Sequence, residues 1–401
     1  MSVGARENQH NRAAFFSSNK QEVRRIRKPR HPVRSRIAVA VTIIQSFLLL
    51  THLFLYETWV ALFGAPRQPG LRVLQLSFAA LSVSFVAATL LAHRYYNKPV
   101  RVLYRIASIW LGFVNFAFPA ACLAWLAVFA TIAFNLPFTQ TQIALVFLGL
   151  ALFATLYGLV NAANLRIKRV SVKLPGLPAS WHGRVAALVT DTHLGHIKGR
   201  RFLSRIVTSL RQLRADVVFI SGDLFDGTHV DAHRLVAPWK QLTPKFGSFF
   251  VSGNHDEFSD HSRYLDAIRN SGIRVLHNET VDLDGLQVLG IPYHDSANPE
   301  RFQSVLSGAH LDPNRASVLL SHVPHSLPIP ERHGISLQLS GHTHGGQIFP
   351  FTWFTSRIFG AYTYGLSRFG DLLVYTSSGA GTWGPPLRVC TTPEIVLIHF
   401  E

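Results

Sequence analysis

The sequence predicts an α-helical membrane anchor of four spans followed by an α/β domain. Of the 401 residues 48% are hydrophobic, and four long apolar stretches lie within the first 165 residues. From about Trp181 onward, short β-branched runs alternate with Gly- and Pro-containing turns and amphipathic stretches, a pattern typical of α/β domains. The two regions also differ in charge, because the net charge of +17 belongs almost entirely to the first.

The charge distribution excludes one class of partner. Residues 175–401 carry 19 Lys or Arg and 19 Asp or Glu. A groove that follows a nucleic-acid backbone needs several uncompensated cations, so we expect no nucleic-acid polymer as partner. The two cysteines, Cys122 and Cys390, cannot form a disulfide framework, and neither lies in a C-x-x-C pair.

Each of the four apolar stretches is long enough to span a bilayer. A helix needs about 20 apolar residues for this, and the interiors of these stretches contain no Lys, Arg or Asp. The stretches cover residues 37–56, 73–92, 106–134 and 142–163. The alternative to an anchor is a transport path, and Asn115 and Pro119 are the main features that would favour it. Because this support is weak, we expect the four spans to act as an anchor.

The short loops predict the orientation of the anchor. Lys and Arg are retained on the cytoplasmic side, and they cluster before the first span, between the second and third, and after the fourth. Both ends of the chain should therefore be cytoplasmic. We expect residues 1–36 to be a basic, disordered segment near anionic lipids, 37–165 the anchor, 166–180 a basic juxtamembrane linker, and 181–401 the second domain.

The second domain repeats one arrangement five times: an apolar strand ends, and polar side chains follow at once. One amphipathic helix, 200–213, separates the first two strands. Side chains at the carboxyl ends of strands in α/β sheets often share one pocket. The clusters are Asp191 with His193, Asp223, Asn254 with His255 and Asp256, His322, and His342 with His344.

Each cluster alone has an ordinary interpretation, because Asp after a strand often caps the next helix. Together they offer seven oxygen or nitrogen ligands without a thiolate, which suits divalent ions such as Mn²⁺, Zn²⁺ or Fe²⁺. A shared carboxylate can bridge two such ions. The predicted metal ligands are Asp191, His193, Asp223, Asn254, His322, His342 and His344.

The order of these motifs, D-x-H, G-D, G-N-H-D, H and G-H-x-H, resembles the calcineurin-like metallophosphoesterase superfamily over residues 181–401. The run GHTHGGQ at 341–347 is similar to a bacterial membrane-associated branch. The resemblance implies a two-sheet β-sandwich flanked by helices. It also implies a first metal on Asp191, His193 and His344, a second on Asn254, His322 and His342, and Asp223 as the bridge.

The same residues predict a hydrolase. Two cations about 3.5–4 Å apart lower the pKa of a bridging water, hold phosphoryl oxygens and neutralise charge during in-line displacement. We therefore expect a metal-bridging hydroxide as nucleophile and His255 as general acid or as a hydrogen-bond donor in the transition state, with Asp256 orienting its ring. Asp226, three residues after Asp223, is a candidate to support the metal ligands. The side chains of His196, His325 and the run Tyr293-His294-Asp295 would line the pocket or be solvated loop residues.

An anchored domain meets membrane substrates at high effective concentration, which favours a lipid-linked phosphodiester or pyrophosphate. Relatives in the bacterial branch include hydrolases of diacylated UDP-glucosamine, so the resemblance implies the bacterial inner membrane. Loops at 293–301 or at 350–370, the latter rich in aromatic residues, would enter the membrane interface or pack on their own core. The alternatives are an anchored phosphatase or nucleotide phosphodiesterase with a soluble substrate, and a non-catalytic metal-dependent scaffold; the sequence indicates no protein partner.

Overall fold

A computed structural model describes residues 31–258 and 261–401, with side chains from residue 38 onward. The predictions for residues 1–30 lie outside this part of the chain. The chain divides between Leu50 and Thr51, within the first helix, and the unit Thr51–Glu401 contains every contact discussed below. Residues 31–36, which we expected to be disordered, are helical.

The four predicted spans are confirmed as long apolar helices. Helix α1 covers His31–Phe63, α2 Gly70–Arg94, α3 Lys98–Ala133 and α4 Gln140–Ala163. By length and composition each of the four is able to cross a membrane. Two polar side chains join α3 to α1: the indole of Trp110 lies 2.8 Å from Nε2 of His52, and that of Trp125 donates to Thr58.

Helix α3 is longer than a membrane requires. Its 36 residues rise about 54 Å at ~1.5 Å per residue, whereas the hydrocarbon layer is about 30 Å thick. About four turns must therefore lie outside the hydrocarbon.

The second domain consists of two sheets, as the resemblance implied, and each sheet has six strands. The strands, numbered β1 to β12 in chain order, are Arg166–Val172, Val185–Val189, Val217–Ser221, Ser248–Val251, Ile273–Val275, Glu279–Leu283, Leu286–Gly290, Ser317–Leu320, Leu337–Ser340, Gly365–Phe369, Leu372–Thr376 and Glu394–Phe400. The first sheet has the order β1-β12-β2-β3-β4-β5 and the second β10-β11-β9-β8-β7-β6. Strands β2 to β5 run parallel, as do β7, β8, β9 and β11.

Helices cover the outer face of each sheet. The helices, numbered α5 to α12 in chain order, are Arg200–Leu213, Ala232–Val236, Asn254–Glu257, His261–Arg269, Tyr293–Ser296, Pro299–Gly308, Pro328–Arg332 and Phe351–Phe359. The predicted amphipathic helix is α5, which buries Phe202, Ile206 and Leu210 against the first sheet. Between the sheets, Leu188 and Phe219 belong to the same apolar core as Val288 and Leu320.

Residues 166–172, which we expected in a linker, form the edge strand β1. This strand pairs in parallel with β12 over seven residues, from Arg166 opposite Glu394 to Val172 opposite Phe400. Only Asn164 and Leu165 separate it from the end of α4. The last span therefore continues directly into the sheet.

Residues 385–391, the docking loop, attach the second domain to the membrane helices. The Arg388 amide donates to the Gly158 carbonyl of α4 over 3.0 Å, and the Asn161 side chain donates to the carbonyls of Arg388 and Thr391. A Cβ on Gly112 of α3 would lie only 2.1 Å from Cδ1 of Leu387, so a larger residue there would displace the Leu387 side chain. The anchor and the domain thus pack directly together.

Candidate metal centre

The five predicted strands end at one edge of the molecule. They are β2, β3 and β4 of the first sheet and β8 and β9 of the second. Their short apolar runs are buried, as expected for strands covered on both faces. The parallel arrangement brings the residues after all five strands together at one site.

Most of the candidate ligands have a strained backbone. The φ angles of Asp191, His193, Asp223, His342 and His344 are +51°, +46°, +52°, +69° and +50°. Positive φ is uncommon for residues other than glycine, and it clusters at functional sites where the surroundings hold it in place. The fold therefore holds these side chains in position at a cost in folding stability.

Two glycines make room for the ligands. A Cβ on Gly222 would approach Nδ1 of His322 to 2.5 Å, and one on Gly341 would approach the Asp191 carboxylate to 2.1 Å. Any other residue at these positions would displace a candidate ligand, which explains the glycines before Asp223 and His342.

Asp191, His193 and His344 form the first group of ligand atoms. The Nε2 atoms of His193 and His344 lie 3.0 Å apart, and Nε2 of His344 lies 3.4 Å from Oδ1 of Asp191. Asp191 is fully buried and accepts the His342 amide. In a hydrogen bond between the two Nε2 atoms, one nitrogen donates and only the other contributes a lone pair. A cation between them would bind the lone pairs of both nitrogens.

Asp223, His322, Asn254 and His342 lie beside the first group. Nδ1 of His322 lies 2.7 Å from the Ser221 carbonyl and donates to it, so its Nε2 faces Oδ2 of Asp223 at 3.2 Å. Nδ1 of His342 lies 3.0 Å from Oδ1 of Asn254. Oδ2 of Asp223 is also 3.8 Å from Nε2 of His193, so this carboxylate lies between the two groups.

The electrostatics fit a divalent cation. Burial lowers the pKa of His193 to about 3, and burial together with the nearby His322 lowers that of His342 to about 3, which keeps their lone pairs free. Burial also acts to lower the pKa of His322, but the charge of Asp223 outweighs it and raises that pKa to about 10. Nδ1 of His193 and Nε2 of His322 are buried without a hydrogen bond. The donors are thus those of a metal site.

His255 lies at the edge of this centre. Its ring is perpendicular to that of His193, with 5.0 Å between centroids, and its amide donates to Oδ1 of Asp223. Nδ1 of His255 lies 3.2 Å from the Asp226 carbonyl oxygen, to which it donates, so Nε2 carries the lone pair in the neutral ring.

The expected role of Asp256 requires correction. Its carboxylate accepts the amides of Leu224, Phe225 and Gly253, with Gly253 at 2.9 Å, and does not orient the His255 ring. These bonds join the turn after β3 to the turn after β4, because a buried carboxylate satisfies amides that neither strand can pair. Asp256 therefore positions Asp223 and Asn254, while the Asp226 carbonyl orients the His255 ring.

The remaining pocket candidates separate in the structure. Tyr293 and His325 line a cavity of about 490 Å³ that also has His342 in its wall. His196 is buried, with its ring nitrogens 3.0 Å from the Thr228 hydroxyl and from the Tyr95 carbonyl. His294 is exposed and pairs with Glu257 and Asp295. The cavity is otherwise mostly apolar, with Leu327, Ile358, Phe359 and Phe369 among its lining residues.

Arg388 is a feature of the centre that the motifs did not indicate. This fully buried side chain donates to the carbonyls of Ser378, Gly379, Gly381 and His344, and one guanidinium nitrogen lies 3.2 Å from Nδ1 of His344. It belongs to the docking loop and lies in no repeated pattern. A lone Arg in a Gly- and Pro-rich stretch is the only local signal.

Comparisons with known proteins agree with this geometry. The calcineurin-like phosphoesterase family profile matches residues 185–346. The chain is 32% identical over 254 residues to an uncharacterized metallophosphoesterase of Campylobacter jejuni, covering 61% of this chain and 66% of that protein. It is 33% identical over 281 residues to a transmembrane protein with metallophosphoesterase domain of Danio rerio, covering 65% and 62%.

The matched part thus spans about two thirds of these relatives or less. A solved dimetal phosphatase from Danio rerio is 12% identical with a TM-score of 0.37, covering 50% of this chain and 90% of that one, a likeness too distant to bear on function. The motifs, the family profile and the relatives together assign the domain that contains residues 185–346 to the calcineurin-like phosphoesterase family, and four helices long and apolar enough to cross a membrane precede it.

Proposed function

We propose that the protein is a membrane-anchored phosphoesterase that uses two divalent metal ions, Mn²⁺, Zn²⁺ or Fe²⁺, to hydrolyse a phosphodiester or pyrophosphate bond in a lipid-linked substrate. One observation carries the lipid assignment: the apolar cavity of about 490 Å³ has the candidate ligand His342 in its wall. A phosphoryl group at the metal centre would place an attached apolar chain within reach of this cavity.

The wall of that cavity includes part of an exposed apolar helix. Helix α12 has no buried residue, and its large apolar side chains Phe351, Trp353, Phe354 and Ile358 are each at least half exposed. Such a helix is favoured at a lipid interface and unfavourable in water. Its start is tied to the anchor, because Asn115 of α3 donates to the Phe349 carbonyl over 2.9 Å. This contact also gives Asn115 a role other than transport.

The chain's own residues have distinct roles in the proposed reaction. Asp191, His193 and His344 would hold one ion, Asn254, His322 and His342 the other, and Asp223, located between the groups, would bind both. When bound, the ions would supply Lewis-acid activation of water and of the phosphoryl group. His255 would donate a proton from Nε2 to the leaving oxygen and therefore acts in its protonated form, with Nδ1–H held by the Asp226 carbonyl.

We further propose that the protein lies in the bacterial inner membrane with both ends and the metal centre on the cytoplasmic side. The basic flanks support this orientation, since Lys and Arg concentrate on one side of the four spans. We place the boundary between anchor and catalytic domain at 165/166, where α4 has ended and β1 begins.

A matched substrate pair tests the assignment. Purified full-length protein with Mn²⁺ should hydrolyse a diacylated, nucleotide-linked sugar pyrophosphate with a KM at least about tenfold below that of the same pyrophosphate without acyl chains. Each buried methylene contributes about 0.8 kcal/mol, so a few methylenes suffice. Ile358→Asp should raise KM for the acylated substrate alone, whereas Ser356→Asp, exposed on the same helix and outside the cavity lining, should not.

Equal KM values for both substrates, with no effect of Ile358→Asp, would identify a phosphatase for soluble substrates. No metal-dependent turnover of either compound, or of an activated aryl phosphodiester, with any of the three metals would leave the scaffold alternative.

A further inference from the structure

A second, larger cavity lies between the membrane helices and the catalytic domain. Its volume is about 1350 Å³, and none of the proposed metal ligands lines it. Residues of α3 and α4 form one side, and residues 197–205 with Arg234 form the other.

The cavity is strongly basic. Eight of its lining residues are Lys or Arg, and no Asp or Glu is among the described residues that line it. Helix α3 contributes Lys98, Arg101 and Arg105, and the first turns of α5 contribute Arg200, Arg201 and Arg205. None of these six takes part in an ion pair within residues 31–258 and 261–401.

The cations in the cavity are held close together although they repel one another. Arg105 donates to the Ile197 carbonyl, and Lys198 donates to the Ala162 carbonyl. Burial together with Arg388, Arg205 and Arg105 lowers the pKa of Lys198 to about 8. Nε of Arg101 is buried without a hydrogen-bond partner. Such an arrangement is unfavourable unless an anion compensates it.

The N-terminus of α5 adds to the positive potential. This 14-residue helix begins after Gly199, whose position has no side-chain cap, so the first amides point outward unsatisfied by a side chain. The positive end of the helix dipole and three arginines of its first turns face the same space. This is the arrangement that binds a phosphate group.

The other half of the cavity is apolar and belongs to the anchor. Val102, Ile106 and Ile109 repeat along one face of α3 next to Arg101 and Arg105, and Leu159 of α4 lies opposite. Val102 is 50% and Ile106 is 59% exposed within the protein, so the surface is open to lipid. Cations followed along a membrane helix by exposed apolar side chains match an amphiphile and not a soluble anion.

We propose that this basic cavity binds an anionic phospholipid, with its phosphate among Arg105, Lys198, Arg201 and Arg205 and its acyl chains along Ile106, Ile109 and Leu159. The lipid would join the anchor to the catalytic domain. It would be a resident ligand and not the substrate, because no candidate metal ligand lines the cavity. The proposal therefore stands whether or not the substrate is lipid-linked.

Native mass spectrometry of the full-length protein in detergent tests this inference. The probes are phosphatidylglycerol, phosphatidylcholine with the same acyl chains, and inorganic phosphate. We expect one tightly bound phosphatidylglycerol, with a Kd at least about tenfold below that of phosphatidylcholine, because about 1 kcal/mol per nearby cation accumulates over several cations. Inorganic phosphate should bind far more weakly than the lipid.

Three variants make the test specific. The triple change Arg105→Gln, Arg201→Gln and Arg205→Gln should reduce phosphatidylglycerol affinity to that of phosphatidylcholine. Leu159→Trp, which fills the apolar half and keeps every charge, should weaken both lipids. The matched control Arg211→Gln, on α5 but outside the cavity, should bind as the wild type does.

The inference is overturned if phosphatidylglycerol and phosphatidylcholine bind equally to the wild type, or if phosphate alone binds as tightly as the lipid. It is also overturned if the triple variant, or Leu159→Trp when the triple variant does not fold, keeps wild-type lipid affinity. Loss of affinity in Arg211→Gln equal to that of the triple variant would show that only overall charge matters, which contradicts a specific site.

Discussion

Replacing Arg388 should uncouple the metal centre from the membrane helices. In Arg388→Met, the buried guanidinium is lost and the carbonyls of Ser378, Gly379, Gly381 and His344 lose their donor. Breaking a buried charged network costs about 3–5 kcal/mol. Since folded domains are stable by only about 5–15 kcal/mol, the variant should retain little of its stability margin.

The expected shift is large enough to measure directly. At roughly 2–4 °C per kcal/mol for a domain of this size, Tm should fall by about 10 °C. At temperatures where both proteins are folded, the metal affinity of Arg388→Met should be about 10–100-fold lower than that of the wild type. This is the usual effect of removing a partner that holds a metal ligand. Arg388→Lys keeps the charge but cannot donate in a fork, so it should lie between Arg388→Met and the wild type.

The assay follows thermal unfolding by fluorescence, metal content by elemental analysis at fixed free Mn²⁺, and turnover of an activated diester. Arg368→Met, at an exposed site, serves as the control. If Arg388→Met melted within about 2 °C of the wild type and bound the same amount of metal, Arg388 would not hold His344, and the reasoning from its hydrogen bonds would be refuted.

Three further predictions concern the centre and the anchor. Elemental analysis after reconstitution should approach two metal equivalents per chain, because seven candidate ligands exceed the need of one open site; saturation at one would contradict the two-metal proposal. Asp223→Ala should lower metal content and rate together, whereas His255→Ala should keep the metals and slow unactivated esters by about 10²–10⁴, as measured with one activated and one unactivated ester; equal metal loss would make His255 a ligand. A reporter that works only in the cytoplasm should be active when fused after Glu401 and inactive in the loop at Phe138, and the reverse would invert the topology.

The sequence contained most of what positions the centre. Each β-branched run that ends in a polar cluster became a strand, because its residues favour a pleated, buried surface. After β3, β4 and β9 a glycine also permits a sharp turn. Helix α5 matches the predicted range 200–213 because six apolar residues recur at helical spacing. These signals are local, so one sequence suffices to find them.

The features that were missed depend on partners far along the chain. Strand β1 contains Arg166, Lys168 and Arg169, and its apolar residues Ile167 and Val170 are three positions apart, so the sequence shows no strand alternation there. Its pairing partner β12 begins more than 200 residues later. Arg388 bonds to His344, 44 residues away, from a loop without periodicity. The sequence shows that Asp256 lies in the turn after β4. Its carboxylate accepts hydrogen bonds from the amides of Leu224 and Phe225, and only the fold reveals these two partners.

Because α4 continues directly into β1, the anchor fixes the height of the second domain above the membrane and does not merely tether it. A domain on a flexible linker samples many heights above a membrane, so its position does not select among substrates. Here Asn161 and Gly158 bind the docking loop, and β1 begins three residues after α4 ends, so the metal centre is held at one height. Under the proposed function, a fixed height would select among lipid-linked substrates by the distance between their acyl chains and the bond that is hydrolysed.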